Sequence, residues 1–300
     1  MANMNETQFK QLERPMLRFL VGLLSSKLAL LGTVLFFSIV ILAILAPWIS
    51  PQNPYDLGSL NLLDSRLPPN SQSMDGVRYW LGTDGQGRDM TSAILYGLRT
   101  SILVGVVASV VALLVGTTLG LIAGYFRGWV DGLIMRVVDL QLSVPSILIA
   151  IVLLAVLGRG VGNIILALVA VQWVFFARTV RSSCLVEREK EYVQAGRLMG
   201  YSTWRILFRH ILPNSIAPVT VVMTVEFAHA IALEATLSFL GVGLPVTEPS
   251  LGFLISAGFN YLLNGEYWIS IFPGIALLLT VFSLNLIADQ LRDITDPRLK

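Results

Sequence analysis

Charge is scarce in this chain. Of its 300 residues only 13% are Asp, Glu, Lys or Arg, about half the share of an ordinary soluble domain. Four lysines, two histidines and one cysteine are all the sequence holds of those types. A lone cysteine, Cys184, excludes an internal disulfide. None of the lysines follows a glycine. A phosphate-cradling Gly-x-x-x-x-Gly-Lys-Ser/Thr loop is therefore absent, and any ATP hydrolysis must belong to another polypeptide. The net charge of +2 gives no basis for nucleic-acid binding. What the chain has instead is apolar sequence, 55% of it, which points to a membrane protein.

A bilayer core about 30 Å thick needs about 20 apolar residues in a helix. Uncharged runs cover 28–49, 100–126, 140–158, 160–177 and 267–288. A sixth, 215–239, is equally apolar but carries Glu226, His229 and Glu234. These predict an all-α polytopic protein with a six-helix transmembrane region, 28–288. The first run is too long for a cleaved signal sequence, and others follow it. The stretch 249–265 is short and diluted by Ser, Asn and Gly, so 240–266 is expected to be re-entrant or interfacial. With six spans, 16 Lys and Arg fall on one side and five on the other. This positive-inside bias predicts a cytoplasmic N-terminal segment, 1–27, and a cytoplasmic tail, 289–300. Two connections exceed ordinary loop length: an outer one at 50–99 and an inner one at 178–214.

Three groups of residues carry functional signals. Gly116, Gly120 and Gly124 share one helix face and permit close helix approach. Packing within the chain and packing against a partner subunit are both open. Glu226, His229 and Glu234 are ionisable at membrane depth, where such groups usually face a bundle interior or a watery path. They are read as lining a translocation path or as hydrogen-bonding inside the bundle. Glu226-x-x-His229 matches half of a di-metal motif, but the only other histidine, His210, has no suitable carboxylate beside it. No metal and no bound cofactor are expected. Asp84 and Asp89 are too few for a calcium loop and read as a surface turn. Pro145 is expected to bend the third span.

The inner loop is the third group. Residues 187–199 favour helix, Gly200 suits a C-terminal cap, Ser202 or Thr203 can cap a second helix, and Pro213 is expected to interrupt that helix. Tyr192, Leu198, Met199, Trp204, Ile206 and Leu207 are too many large apolar groups for a solvated loop. A partner protein, the lipid surface or the chain itself must cover them.

This loop resembles the cytoplasmic loop of permease subunits in bacterial binding-protein-dependent ABC importers. The pattern there is Glu-Ala-Ala, three residues, Gly, nine residues, Ile, one residue, Leu-Pro. Here Gln194-Ala195-Gly196 occupies the triplet, Gly200 the glycine, His210 the isoleucine, and Leu212-Pro213 the end. Further segments are similar to the dipeptide, oligopeptide and nickel permeases, and to their second, C-type subunit. They are 81–89 with Tyr96-Gly97 and Arg99, then 234–241, and 291–298. The resemblance implies a type I ABC importer permease in the bacterial inner membrane, carrying a peptide-like solute. Its partners would be a homologous second permease, two ABC ATPases that bind ATP and Mg2+, and an extracytoplasmic binding protein, within membrane lipid. It implies that Gln194, Ala195, Gly196, Arg197, Leu198, Met199, Gly200, Tyr201 and Ser202 dock on an ATPase. A self-contained proton-coupled secondary transporter using Glu226, His229 and Glu234 is the alternative. An intramembrane hydrolase lacks a serine motif beside the one histidine at depth.

Overall fold

The computed structural model describes residues 26–295, apart from 57, 59, 74, 75 and 246. The expected N-terminal segment, up to residue 25, lies outside the described residues. So do Arg298, Lys300 and the end of the 291–298 motif.

Ten α-helices account for most of the described chain: α1 (Lys27–Ile49), α2 (Met90–Phe126), α3 (Gly128–Leu142), α4 (Ser146–Leu157), α5 (Val161–Glu187), α6 (Glu191–Leu198), α7 (Thr203–Ile206), α8 (Leu212–Phe239), α9 (Leu251–Phe259) and α10 (Trp268–Thr295). Among the described residues, five spans are long and apolar enough to cross a membrane, and a sixth exists only if α3 and α4 count as one. One small antiparallel pair, β1 (Ser71–Gln72) and β2 (Arg78–Tyr79), sits in the 50–99 connection.

Helix α2 begins at Met90 rather than at residue 100 because Asp89 caps it, accepting from Ser92 N at 2.7 Å. At 37 residues it is about 55 Å long and outreaches the hydrocarbon core. The third span departs from expectation. Pro145 does not merely bend it; α3 and α4 meet at 93°. Proline has no N–H and clashes with the preceding turn. The Ser143 hydroxyl adds a competing bond to Leu140 O at 2.6 Å. Alone, the 12-residue α4 covers only about 18 Å, and α3 takes in most of the polar stretch between the second and third apolar runs.

The glycine stripe settles α2 against α5 in the same chain. A Cβ on Gly116 would lie 2.6 Å from Phe176 Cβ, on Gly120 2.5 Å from Ala177 O, and on Gly124 2.8 Å from Cys184 Cβ. No side chain fits, so the two backbones touch. At one end of this pair, Val104, Ala108, Leu154, Leu168 and Leu237 join α2, α4, α5 and α8 into a core. At the other end, Leu121, Val180, Cys184, Val193, Ile206 and Ile211 clamp the 178–214 connection onto α2 and α5.

Helix α9 has nine residues, about 14 Å, and cannot cross a bilayer. It folds back over α8 and α10, held by Ser256 Oγ to Phe239 O at 2.8 Å and Ser270 Oγ to Ile255 O at 3.0 Å.

Candidate functional site

The 178–214 connection forms a braced projection. Helix α6 ends in two reciprocal bonds, Tyr201 N to Gly196 O and Gly200 N to Arg197 O, both 3.0 Å. This is the Schellman arrangement, and it needs the left-handed backbone that Gly200 adopts at φ +74°. Ser202 caps α7, accepting from Arg205 N at 3.4 Å. Pro213 does not interrupt the second helix, contrary to expectation. The chain runs from α7 into α8 through a wider turn, in which Leu212 N reaches back five residues to Leu207 O. Asn214 Nδ2 to His210 O at 2.7 Å and Ser215 Oγ to Ile211 O at 3.0 Å supplement the backbone there. The wide turn absorbs the donor that proline lacks.

Three helix ends hold α6. At the end of α5, Glu187 accepts from Lys190 Nζ at 2.6 Å and from the Tyr192 hydroxyl at 2.5 Å. Asn214, on α8, donates to that hydroxyl at 3.2 Å. At the end of α2, Arg188 donates to Tyr125 O, and the Arg197 guanidinium lies over the Tyr125 ring at 4.9 Å. Burial, then the bond to Glu187, pushes the Tyr192 phenol up to about 12. Sequence reasoning missed Glu187, Arg188 and Tyr125. Glu187 has its partners three and five residues away, but Tyr125 meets Arg188 and Arg197 across more than 60 residues of chain, and no local spacing reports that.

The residues expected to dock divide by face. Gly196 is buried, its missing side chain leaving room for the Tyr201 ring. Tyr201 is half-buried and stacks on His210 with centroids 5.7 Å apart. Gln194, Ala195, Arg197, Gly200 and Ser202 are exposed. Leu198 at 90%, Met199 at 63% and Trp204 at 62% stand uncovered at the tip. Ile206 and Leu207 are buried within the chain. The cover demanded by the sequence is thus partly internal, and the tip remains bare.

Glu226, His229 and Glu234 occupy two different environments. Glu226 and His229, with Gln172, Ser146, Phe175 and Thr236, line a cleft of about 340 Å3 between α4, α5 and α8. His229 Nδ1 lies 3.6 Å from Glu226 Oε1. Glu234 does not line that cleft. It is fully buried and accepts from Ser101 Oγ at 2.7 Å on α2 and Ser238 Oγ at 2.8 Å on α8.

Asp84 and Asp89 do not form a surface turn. Both are buried. Asp84 pairs with the buried Arg88 at 2.8 Å and accepts from Gln86 N and Arg88 N. Asp64 joins them from the preceding turn, accepting from Ser73 Oγ at 2.7 Å and the Tyr79 hydroxyl at 3.1 Å. Burial and this carboxylate push Tyr79 up to about 12. Spacing could not reveal Asp64, which meets its partners only once 50–99 folds on itself.

Comparison with known proteins follows the same lines. Residues 116–300 match the family described as binding-protein-dependent transport system inner membrane component. Residues 15–69 match the N-terminal domain of oligopeptide transport permease C. The dipeptide transport system permease protein DppC of Escherichia coli is 44% identical over 275 residues, 92% of this chain and 90% of that one. The di/tripeptide transport system permease protein DppC of Pseudomonas aeruginosa is 37% identical over 287 residues, 95% of this chain and 93% of that one. Among solved structures, an inward-facing MetNI methionine ABC transporter chain superposes with a TM-score of 0.55 at 18% identity, covering 68% of this chain and 97% of that one. At that identity the likeness concerns the fold.

Proposed function

The chain belongs to the family of binding-protein-dependent transport system inner membrane components, and from that premise we propose the role of each part. It is a multi-pass permease of the inner membrane and not an enzyme. Its solute is peptide-like, as the named substrates of its relatives suggest. A homologous permease supplies the other half of the path, and an extracytoplasmic binding protein delivers the solute. Two ATPases, holding the ATP and Mg2+, supply the work. Both termini face the cytoplasm, a reading supported by 16 cations on that side against five opposite. Family membership favours this importer over a proton-driven transporter working alone.

The observation that carries the mechanism is the bare apolar tip at Leu198, Met199 and Trp204, on a helix braced at three points. Residues 194–202 dock there on an ATPase. A rigid arm needs one firm contact to pass motion to α2, α5 and α8 together. Glu226 and His229 line the path that these helices open. Glu234 ties α2 to α8.

The test is co-purification in mild detergent with identification of every bound subunit, then transport in proteoliposomes. Gly200→Pro, or a bulky residue at Ala195, should separate ATP hydrolysis from transport while insertion stays normal. Normal transport by such variants would remove the arm's role.

A further inference from the structure

The cleft that Glu226 and Gln172 line holds two buried acceptors and no permanently charged cation to match them. Glu226 is 4% exposed. Among the described residues, no lysine or arginine lies within ion-pair distance of it; His229 Nδ1, at 3.6 Å, is within that distance and pairs with it only when the imidazole is protonated. Gln172, on α5, is equally buried and lines the same cleft. Its Nε2 donates to Glu226 O at 2.6 Å, which fixes the amide orientation and leaves Oε1 as a free acceptor. That oxygen has no partner among the described residues.

The surrounding walls are mostly apolar, formed by Val171, Phe175, Ala232 and Leu233, with Ser146 and Thr236 adding two hydroxyl-bearing residues. A carboxylate and a carbonyl oxygen in such a place are costly until a donor meets them. The space, about 340 Å3, lies within the range of small-molecule sites. It adjoins a second cleft of about 410 Å3 through the shared residues Ser146, Val171 and Phe175, beside the break between α3 and α4. Broken helices at membrane depth commonly border solute sites.

We propose that Glu226 and Gln172 form a resting point for a protonated amine, the ammonium group of the solute in transit. The proposal rests on the peptide-permease reading, since a peptide with a free N-terminus brings that group. An ammonium is compact and carries three donors, enough for the carboxylate and Oε1 together. One unreinforced carboxylate also holds a cation loosely enough to release it, as conduction requires. His229, with its side chain 67% exposed, stands at the mouth.

The experiment uses the complete transporter in proteoliposomes with its binding protein, and dialanine as the probe. Glu226→Gln keeps the shape and removes the charge. Uptake should fall at least about tenfold, the size of one charge-assisted hydrogen bond. ATP hydrolysis should still respond to the loaded binding protein. His229→Cys adds a reporter thiol at the mouth; the native Cys184 is buried. That thiol should react faster with a trimethylammonium thiosulfonate than with a sulfonate analogue, and adding Glu226→Gln should erase the preference. Undiminished uptake by Glu226→Gln, or a thiol with no charge preference, overturns the proposal. So does a thiol that reacts in the isolated chain but not in the complex, because the partner permease would then fill the cleft. A native transporter that moves no dialanine would count against the peptide reading instead, while the two reagents still decide the preference for cations.

Discussion

The connections 50–99 and 178–214 are alike in being long, polar in part and attached to α2, yet they satisfy their side chains in opposite ways. The 50–99 connection turns half of its described charges inward and leaves Asp56, Arg66, Arg78 and Arg99 exposed. Asp64, Asp84, Arg88 and Asp89 are all buried and meet partners within the loop or at the cap of α2. Trp268, at the start of α10, reaches in to donate to Thr83 O at 3.1 Å, tying the loop to the helical body. The 178–214 connection places its charges at the joints and its large apolar groups at the tip. A loop with a buried, internally satisfied polar core holds its own shape, even though Leu62, Leu63 and Trp80 stand uncovered on its surface. A loop that is firmly braced but ends in uncovered Leu, Met and Trp is complete only against another surface.

This contrast predicts unequal responses to substitution. The largest effect on stability belongs to Arg88→Met, which strands Asp84 without its buried cation. The expected loss is about 3–5 kcal/mol, read as a lower unfolding temperature in detergent and protease cleavage within 50–99. A variant of undiminished stability would mean that the loop tolerates an unpaired buried charge.

Gly200→Val comes next. It forces a β-branched residue to φ +74°, at a cost of roughly 1–2 kcal/mol. The expected signature is faster hydrogen exchange in 191–202, with the helical body unchanged. Equal exchange rates would remove the claim that the left-handed cap fixes the arm.

Leu198→Ser should change stability by less than about 0.5 kcal/mol, because the side chain is exposed. Its effect should appear in the complex, as weaker retention of the ATPase subunits on purification. Unaltered retention would move the contact away from the tip.

The smallest effect at neutral pH comes from the tyrosines. Tyr79 and Tyr192 both ionise near 12 rather than 10, one in each connection. Their folded-state values are raised, so the stability they contribute is complete below pH 10 and fades between pH 10 and 12. Absorbance titration of Tyr79→Phe and Tyr192→Phe should each remove one late-ionising phenol. If either variant instead loses a phenol titrating near 10, the corresponding carboxylate contact is absent.

Much of this arrangement was legible beforehand. The apolar runs located five spans but not the break in the run 140–158; Gly200 and Ser202 located the ends of the two short helices, and the spacing of Gln194, Gly200 and Leu212-Pro213 pointed to the family. Pro145 and Pro213 illustrate the limit. Each is a proline after an apolar or helical stretch, yet one separates two helices by 93° and the other sits inside a continuous helical path. At Pro213 a wide turn and the side chains of Asn214 and Ser215 serve the neighbouring carbonyls. At Pro145 the chain already leaves the helix at Ser143. Asp84 and Asp89 misled for a related reason. A glycine-rich acidic stretch looks solvent-facing until the partner that buries it, Asp64 or Trp268, arrives from elsewhere in the chain.

Composition and local sequence patterns by themselves showed that this protein is built for a bilayer, lacks a Gly-x-x-x-x-Gly-Lys-Ser/Thr loop and carries a long 178–214 connection with a glycine-capped short helix. These properties depend on hydrophobic length and local backbone preference, which neighbouring residues encode. Only the tertiary structure decided that the glycine stripe serves α5 of the same chain, that Glu234 is a joint while Glu226 faces a cleft, and which helix ends brace the arm. Those outcomes depend on which surfaces meet across 50 to 130 residues of chain, and the identity of a residue does not specify what will be packed against it.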